Sequence, residues 1–412
     1  MRKYDRRQIL KSAAAAAAVT AGGGFAARAQ GAANTLKMGV IVGQTGGYAV
    51  YAAELRRGID IAVEVINAKG LQIGGKSYKI ETTYYDDRTE GPTAARLVER
   101  AVTNDGMHAV LASGGSPIVK ANVSVAQRLR VPMMPLWSQV DGVYAAQKGS
   151  PYMFSAIPPF SLMYREIMSL IGTLDNPKIK RVAMITPNDE LGVYTGKDYL
   201  PADAKIAKLD LTDVEYYPAG SQEYTTALSR LRRNNPDALV INALSAEVIG
   251  ILKEMRSTDW FPKVVVVESP SGLREPFGDV LNGIYVPILW DKAVAATRDD
   301  YIGTGPDFAK LYAQKYGKEM PDFVAAIGAH NVITYCQVLM KAGVTDDPRK
   351  IRAAFQAFDG ATFFGKVGFR DDGLNVKGSI LAGQFQNQEP KIVYPKEARV
   401  AEPIHPYPGS KG

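Results

Sequence analysis

Ser113-Gly114-Gly115-Ser116-Pro117 is the stretch best suited to hold a ligand. An apolar run, Ala109 to Leu111, feeds two glycines, and Pro117 then opens a helical pattern. Unpaired N–H groups and the dipole at a helix start favour an anion, and glycine lets a ligand come close to the backbone. A small carboxylate is the chemistry this loop would bind. The same residues also read as ordinary turn chemistry, with Ser116 as the N-cap. A second apolar run ends at Leu136-Trp137-Ser138-Gln139. Its indole supplies either a flat, rigid wall for a ligand or a hydrophobic plug between loop and helix.

Residues for catalysis are missing. Gly43-Gln44-Thr45-Gly46-Gly47 follows a strand, but it has neither the Gly-x-Gly-x-x-Gly spacing of a dinucleotide loop nor the Gly-Lys-Ser/Thr of a P-loop. His108, His330 and His405 are scattered, and Cys336 is the only cysteine, so no metal cluster is expected. Asp86-Asp87 and Asp371-Asp372 fall in predicted turns, where paired acids are usually solvated. No nucleophile stands near a base in the sequence. No catalytic residue, metal site or cofactor is expected. Cys336 lies in the apolar run Val332 to Leu339 and reads as a small buried hydrophobe.

The first thirty residues read as an address. Arg6-Arg7 precedes Ile9-Leu10-Lys11, an alanine run from Ala13 to Ala18, three glycines and Ala27-Arg28-Ala29. That is a basic n-region, an apolar h-region and a small-x-small cleavage site near Ala29; the paired arginines fit the twin-arginine route to the periplasm. Residues 1–29 hold six Lys or Arg and one acid, so removing their net +5 from the +7 of the whole chain leaves +2. A nearly neutral remainder carries no electrostatic footprint for nucleic acid. Its 383 residues exceed what one hydrophobic core usually serves, and two lobes are expected.

The elements that must position these loops alternate. Leu36 to Val42 reads as a strand, Ala52 to Asn67 as an amphipathic helix closed by Gly70, and Tyr78 to Tyr85 as a strand. Pro92 to Thr103 is helical; Val131 to Met134 is a strand. The rhythm restarts after Pro158-Pro159, with strands at Val182–Ile185, Val214–Tyr217, Ala238–Ile241 and Val264–Val267, and helices between them, one from about Tyr194 to Ala204. Short apolar runs alternating with helices predict parallel sheets covered on both faces. Helices are expected at Phe308–Tyr316, Val324–Ala342 and Pro348–Phe358, then short antiparallel strands over 363–394 and an extended or mobile tail.

Three segments carry a likeness to a known family: the opening strand with Thr45-Gly46-Gly47 and the helix ending Ile66-Asn67-Ala68-Lys69-Gly70; Tyr224-Thr225-Thr226-Ala227-Leu228 through Asn235-Pro236-Asp237-Ala238-Leu239-Val240; and Gly365-Lys366-Val367-Gly368-Phe369 with Asp371-Asp372-Gly373. From about Leu36 to Tyr394 the chain resembles the Leu/Ile/Val-binding proteins of branched-chain amino-acid ABC transporters, which have the type I periplasmic binding fold. The resemblance implies two doubly wound, three-layer α/β lobes joined by a three-strand hinge. Lobe 1 would comprise 36–157 and 287–366, lobe 2 158–286 and 367–395, with 396–412 as tail. A small ligand would bind between the lobes, and the closed form would dock on ABC permease subunits in the inner membrane. A sensor of the same fold, signalling to a receptor, is the alternative.

The resemblance also implies site residues. Ser113, Gly115 and Ser116 would hold a carboxylate, and Ser138 and Gln139 the head group of an amino acid. Tyr51 falls at an aromatic contact position; Trp137 stands where the family usually has small residues. Leu191, Leu244 and Ser269 occupy places where partners for a ligand ammonium are expected. Glu268 is one residue away and serves only if it points into the site. If it points elsewhere, the ligand should lack an α-amino group, and an aromatic carboxylate becomes attractive. Tyr194 is a candidate polar tip.

Overall fold

Alternation of β-branched runs with helical patterns is realised in two sheets. The computed structural model describes residues 34–292, 297–320 and 323–410. The predicted export segment lies outside them. The first sheet collects β1 (Asn34–Val42), β2 (Leu71–Ile73), β3 (Lys76–Asp86), β4 (Ala109–Ala112) and β5 (Met134–Pro135), in the order β2-β3-β1-β4-β5. Helices α1 (Ala49–Lys69), α2 (Gly91–Thr103), α3 (Ser116–Leu129) and α4 (Asp141–Ala145) punctuate it. Alternate residues of β1 face opposite layers, as a strand requires. Leu36, Met38 and Val40 pack with Leu55 and Ile59 of α1, while Ile41 packs with Val98 of α2 and Val119 of α3.

The chain next forms α5 (Arg165–Ile171), β6 (Arg181–Pro187), α6 (Glu190–Tyr194), a π turn (Thr195–Tyr199) and α7 (Leu200–Ile206). It continues through β7 (Asp210–Tyr217), α8 (Thr225–Asn234), β8 (Ala238–Ile241), α9 (Ser245–Ser257), β9 (Val264–Val267), α10 (Arg274–Phe277) and β10 (Tyr285–Ile288). After α11 (Gly305–Tyr316), α12 (Val324–Ala342), α13 (Pro348–Gln356) and the β11–β12 hairpin (Asp359–Ala361, Lys366–Gly368), it returns through β13 (Leu381–Gln386) and β14 (Glu389–Tyr394). The second sheet runs β14-β13-β10-β9-β8-β6-β7. The chain thus passes between the sheets three times: after β5, after β10 and before β13. Two of these crossings lie side by side, since Ser155 N donates to Gly373 O at 2.9 Å and Asn375 N to Ser155 O at 3.1 Å.

The sheets are mixed: parallel at their centres as expected, with the antiparallel strands expected over 363–394 added at an edge of the second and an unexpected hairpin at an edge of the first. Parallel pairing holds at their centres (β1 with β4, β8 with β6 and β9), but β2–β3 and β13–β14 are antiparallel hairpins at the edges. Each hairpin closes through two residues at positive φ, Gly74-Gly75 and Asn387-Gln388. That geometry matches the twist of paired strands and needs no crossover helix. The helix expected from Tyr194 starts instead at Glu190, because Asp189 accepts from Gly192 N at 2.8 Å and caps it. The tail wraps the second sheet: Tyr407 is buried, packs on Phe261 and donates to Val280 O at 2.7 Å. Cys336 is buried, and burial pushes its thiol up to about 12.

Helices α1 and α12 cross with almost no separation. A Cβ at Gly58 would stand 1.7 Å from Ala325 O, and one at Gly328 2.3 Å from Leu55 O. Gly58→Ala should therefore cost about 1–3 kcal/mol of stability, since backbone cannot yield as a side chain can. Chemical denaturation reads it.

His330 on α12 is fully buried, stacked on Phe364 at 4.6 Å, with Nδ1 2.7 Å from Thr362 Oγ1. Burial depresses its imidazolium to about 4, against an ordinary 6.5. The unfolded chain then binds the proton that the folded one refuses. This contribution to stability is complete above pH 6.5 and is lost as pH falls towards 4. Melting curves from pH 7 to 4 should show this loss, and His330→Gln should flatten it.

Candidate functional site

A cavity of about 120 Å³ opens where the strand ends of both sheets face each other. From the first lobe it is lined by Tyr48 and Tyr51, by Gly115, Ser116 and Pro117, and by Trp137, Ser138 and Gln139. From the second come Asp189 and Leu191 after β6, Leu244 after β8, and Glu268 and Ser269 after β9. Each follows the carboxyl end of a strand, where doubly wound sheets bind ligands. The rest of the wall is apolar: Leu55, Ile157, Phe160, Met163, Leu289, Phe323, Val324 and Ile327.

The first-lobe wall is built on glycines. Gly114 leaves the space that the Trp137 indole fills, and Gly115, at φ 83°, leaves room for the Tyr48 ring. Trp137 lies edge-on to Tyr48 (5.3 Å) and tilted to Tyr51 (5.8 Å). Trp137 is thus both the packing plug and a cavity wall. The loop offers fewer donors than its glycines suggest. Gly115 N donates to Trp137 O at 3.1 Å, and Pro117 has no N–H. The Ser113 hydroxyl donates to the buried Asp87 carboxylate. Ser113 is therefore turned away from the cavity. What remains at this pole is Ser116, whose hydroxyl stands 3.5 Å from that of Ser138. Both side chains are buried at the start of α3.

The opposite pole is acidic. Glu268 lines the cavity, and its Oε2 is sealed from water without a hydrogen-bond partner among the described residues. Burial, then the charges of Asp189 and Glu247, push its carboxyl up to about 8. Asp189 is raised as well, by burial. Both of these neighbours have structural partners: Asp189 caps α6, and Glu247 accepts from Leu244 N at 3.3 Å. Of the three, Glu268 is the one with a buried oxygen that has no partner among the described residues. No Lys, Arg or His is among the described residues lining the cavity.

Of the residues predicted from sequence, Tyr51, Gly115, Ser116, Trp137, Ser138, Gln139, Leu244 and Glu268 meet in this cavity, as do Leu191 and Ser269. Tyr194 does not line it. Its ring stacks on Tyr199 at 6.1 Å and fills the space left by Gly142. Asp189 and Tyr48 were missed. The signal for Asp189 was its place as an N-cap after the strand ending at Pro187. Tyr48 sits one turn ahead of Tyr51 beside Gly46-Gly47, where a turn residue draws no attention.

Residues 35–388 match the family model described as periplasmic binding protein. The chain belongs to the periplasmic binding protein family. It is a substrate-binding protein rather than an enzyme, and the family works outside the cytoplasm. Leu/Ile/Val-binding protein homolog 8 of Brucella abortus is 21% identical to it over 387 residues, covering 89% of this chain and 92% of that protein. Two solved binding proteins share the fold. The branched-chain amino acid transporter substrate-binding protein of Streptococcus pneumoniae, in complex with isoleucine, has a TM-score of 0.71 at 22% identity, over 90% of this chain and 100% of that one. A solute-binding protein of R. palustris in complex with benzoate has a TM-score of 0.72 at 15% identity, over 89% and 99%.

Proposed function

We propose that this periplasmic binding protein captures an amino acid with an apolar side chain and delivers it to an ABC permease. Export by the twin-arginine segment, cleavage near Ala29 and hinge closure between the two lobes, with the boundaries expected from sequence, belong to this reading. The observation that carries it is Glu268, an acid with one buried, unpartnered oxygen, in the lining of a cavity where no base stands among the described residues. An isolated carboxylate is costly to bury, and a ligand ammonium offsets that cost. Ser116 and Ser138 stand ready for the ligand carboxylate at the start of α3, and the apolar wall suits the side chain. The names of the Brucella relative and the isoleucine complex agree with this chemistry.

Sequence reasoning made the choice between amino acid and aryl acid depend on where Glu268 points. Its place in the cavity lining supports the amino acid. A second reading survives on one observation. At pH 7 a Glu268 carboxyl that titrates at about 8 is neutral, and it would donate an O–H to an aryl carboxylate such as the benzoate of the R. palustris protein. Titration calorimetry and melting shifts with L-leucine, L-isoleucine, L-phenylalanine and benzoate separate them. An amino acid is expected to bind with micromolar affinity or better, about 8 kcal/mol, and to raise the melting point. Benzoate binding without amino-acid binding would transfer the case to the second reading. Delivery to a permease, as opposed to signalling, is tested by loss of uptake on deletion.

A further inference from the structure

We propose that Ser245, which does not line the cavity, is a positioning residue for ligand capture: it holds the Tyr51 hydroxyl across the cleft and so ties the two lobes together. The proposal rests on the reading of this chain as a binding protein whose lobes close.

Tyr51 stands on α1, packed over the first sheet; Ser245 opens α9 at the end of β8 in the second. Their hydroxyls are 3.0 Å apart, and Ser245 N donates to the Tyr51 oxygen at 3.3 Å. Ser245 Oγ in turn lies 2.7 Å from Ser269 Oγ, beside Glu268. The directions are compatible: the backbone N–H donates to Tyr51, which leaves the Tyr51 hydroxyl free to donate to Ser245 Oγ and Ser245 to donate to Ser269. Such a chain polarises along its length.

The need for this bond is written into α9. The first N–H groups of a helix have no partner within it. Ser245 N is the first of them, a group that an N-cap side chain does not reach, and its acceptor here comes from the opposite lobe. Opening the cleft removes the cap and the hydroxyl chain together. The same bond fixes the Tyr51 ring against Trp137, where it forms the cavity wall. Among the described residues other polar contacts also join the two sides: Gly142 N reaches the Tyr199 hydroxyl at a long 3.4 Å, and Lys120 Nζ reaches Glu190 at 3.0 Å, but with Lys120 62% exposed that ion pair contributes little and is screened by salt. Tyr51 and Ser245 are neutral and partly buried, so their tie persists at high ionic strength.

Small-angle scattering of the full mature protein without ligand tests the proposal. Tyr51→Phe, which removes both bonds, is expected to enlarge the radius of gyration, and Ser245→Ala, which keeps the backbone N–H donor, to enlarge it by less. The double variant should match Tyr51→Phe, because that change alone already cuts the whole tie. Ser245→Thr, which keeps the hydroxyl, should match wild type, and so should wild type in 1 M NaCl. Curves for the Ala and Phe variants that superpose on wild type would overturn the proposal. So would additive expansion in the double variant, or an equal expansion of wild type in salt, which would assign the tie to Lys120 and Glu190. With L-leucine as probe, Ser245→Ala should speed dissociation about fivefold while all cavity-lining residues are kept. No heat from L-leucine in wild type would count against the amino-acid reading and leave the scattering result to decide the tie.

Discussion

Glu268→Gln is expected to weaken L-leucine binding by about 3–5 kcal/mol, roughly a hundredfold or more, because it removes the counter-charge from a buried ammonium. Two pH effects accompany it. In the empty site the carboxyl titrates at about 8, so between pH 6 and 8 it must release a proton to receive an ammonium. Wild-type affinity for L-leucine should therefore rise with pH, by up to about tenfold per unit, and level off above 8. Affinity for benzoate would instead fall above pH 8, where the O–H donor is gone. The stability of the empty protein moves the other way from leucine affinity. A carboxyl raised in the folded state binds its proton more tightly there than in the unfolded chain. Stability is then lost as pH climbs from about 4.5 through 8. Gln, which never ionises, should melt higher than wild type at pH 8 and about equally at pH 5. A flat affinity profile, with no stability gain at pH 8, would remove Glu268 from the ligand pole.

The second large effect is expected at the other pole. Ser116→Ala with Ser138→Ala should cost about 3 kcal/mol or more in affinity, since in the proposed reading each hydroxyl would donate to the ligand's charged carboxylate and such bonds are worth about 1.5–3 kcal/mol. The melting point of the empty protein should hardly change. Among the described residues neither hydroxyl has a partner nearer than the 3.5 Å contact between them. Calorimetry on the double variant measures the loss. Affinity unchanged within a factor of two would place the carboxylate elsewhere. Ser113→Ala makes a contrast. Its hydroxyl bonds the buried Asp87, so the variant should lower stability without a direct loss of ligand contact.

Much of the fold was legible because its signals are local. Val264–Val267 and Val324–Ala342 have the bounds expected from the sequence, since a four-valine run and a nineteen-residue apolar pattern leave little choice. Edges were less legible. β2 is three residues long, and β10 begins after a turn with no alternation to announce it. Their existence depends on neighbours that supply the hydrogen bonds. The close approach of Gly58 to Ala325 joins residues far apart in sequence, and no spacing rule reaches that far.

The candidate site divides along the same line. Sequence alone pointed to the loops that line the cavity, because strand ends followed by glycine, serine or a helix start are written in consecutive residues. It also excluded nucleotide loops and metal clusters by residue type. Tertiary structure decided the directions of the side chains. It turned Ser113 towards Asp87 and Tyr194 towards Tyr199, engaged Gly115 N with Trp137 O, and left one oxygen of Glu268 without a partner. It also brought Tyr51 within hydrogen-bond distance of Ser245. Each of these outcomes is a contact between segments that only the packed core places together, and burial then decides which polar atom is satisfied and which waits for a ligand.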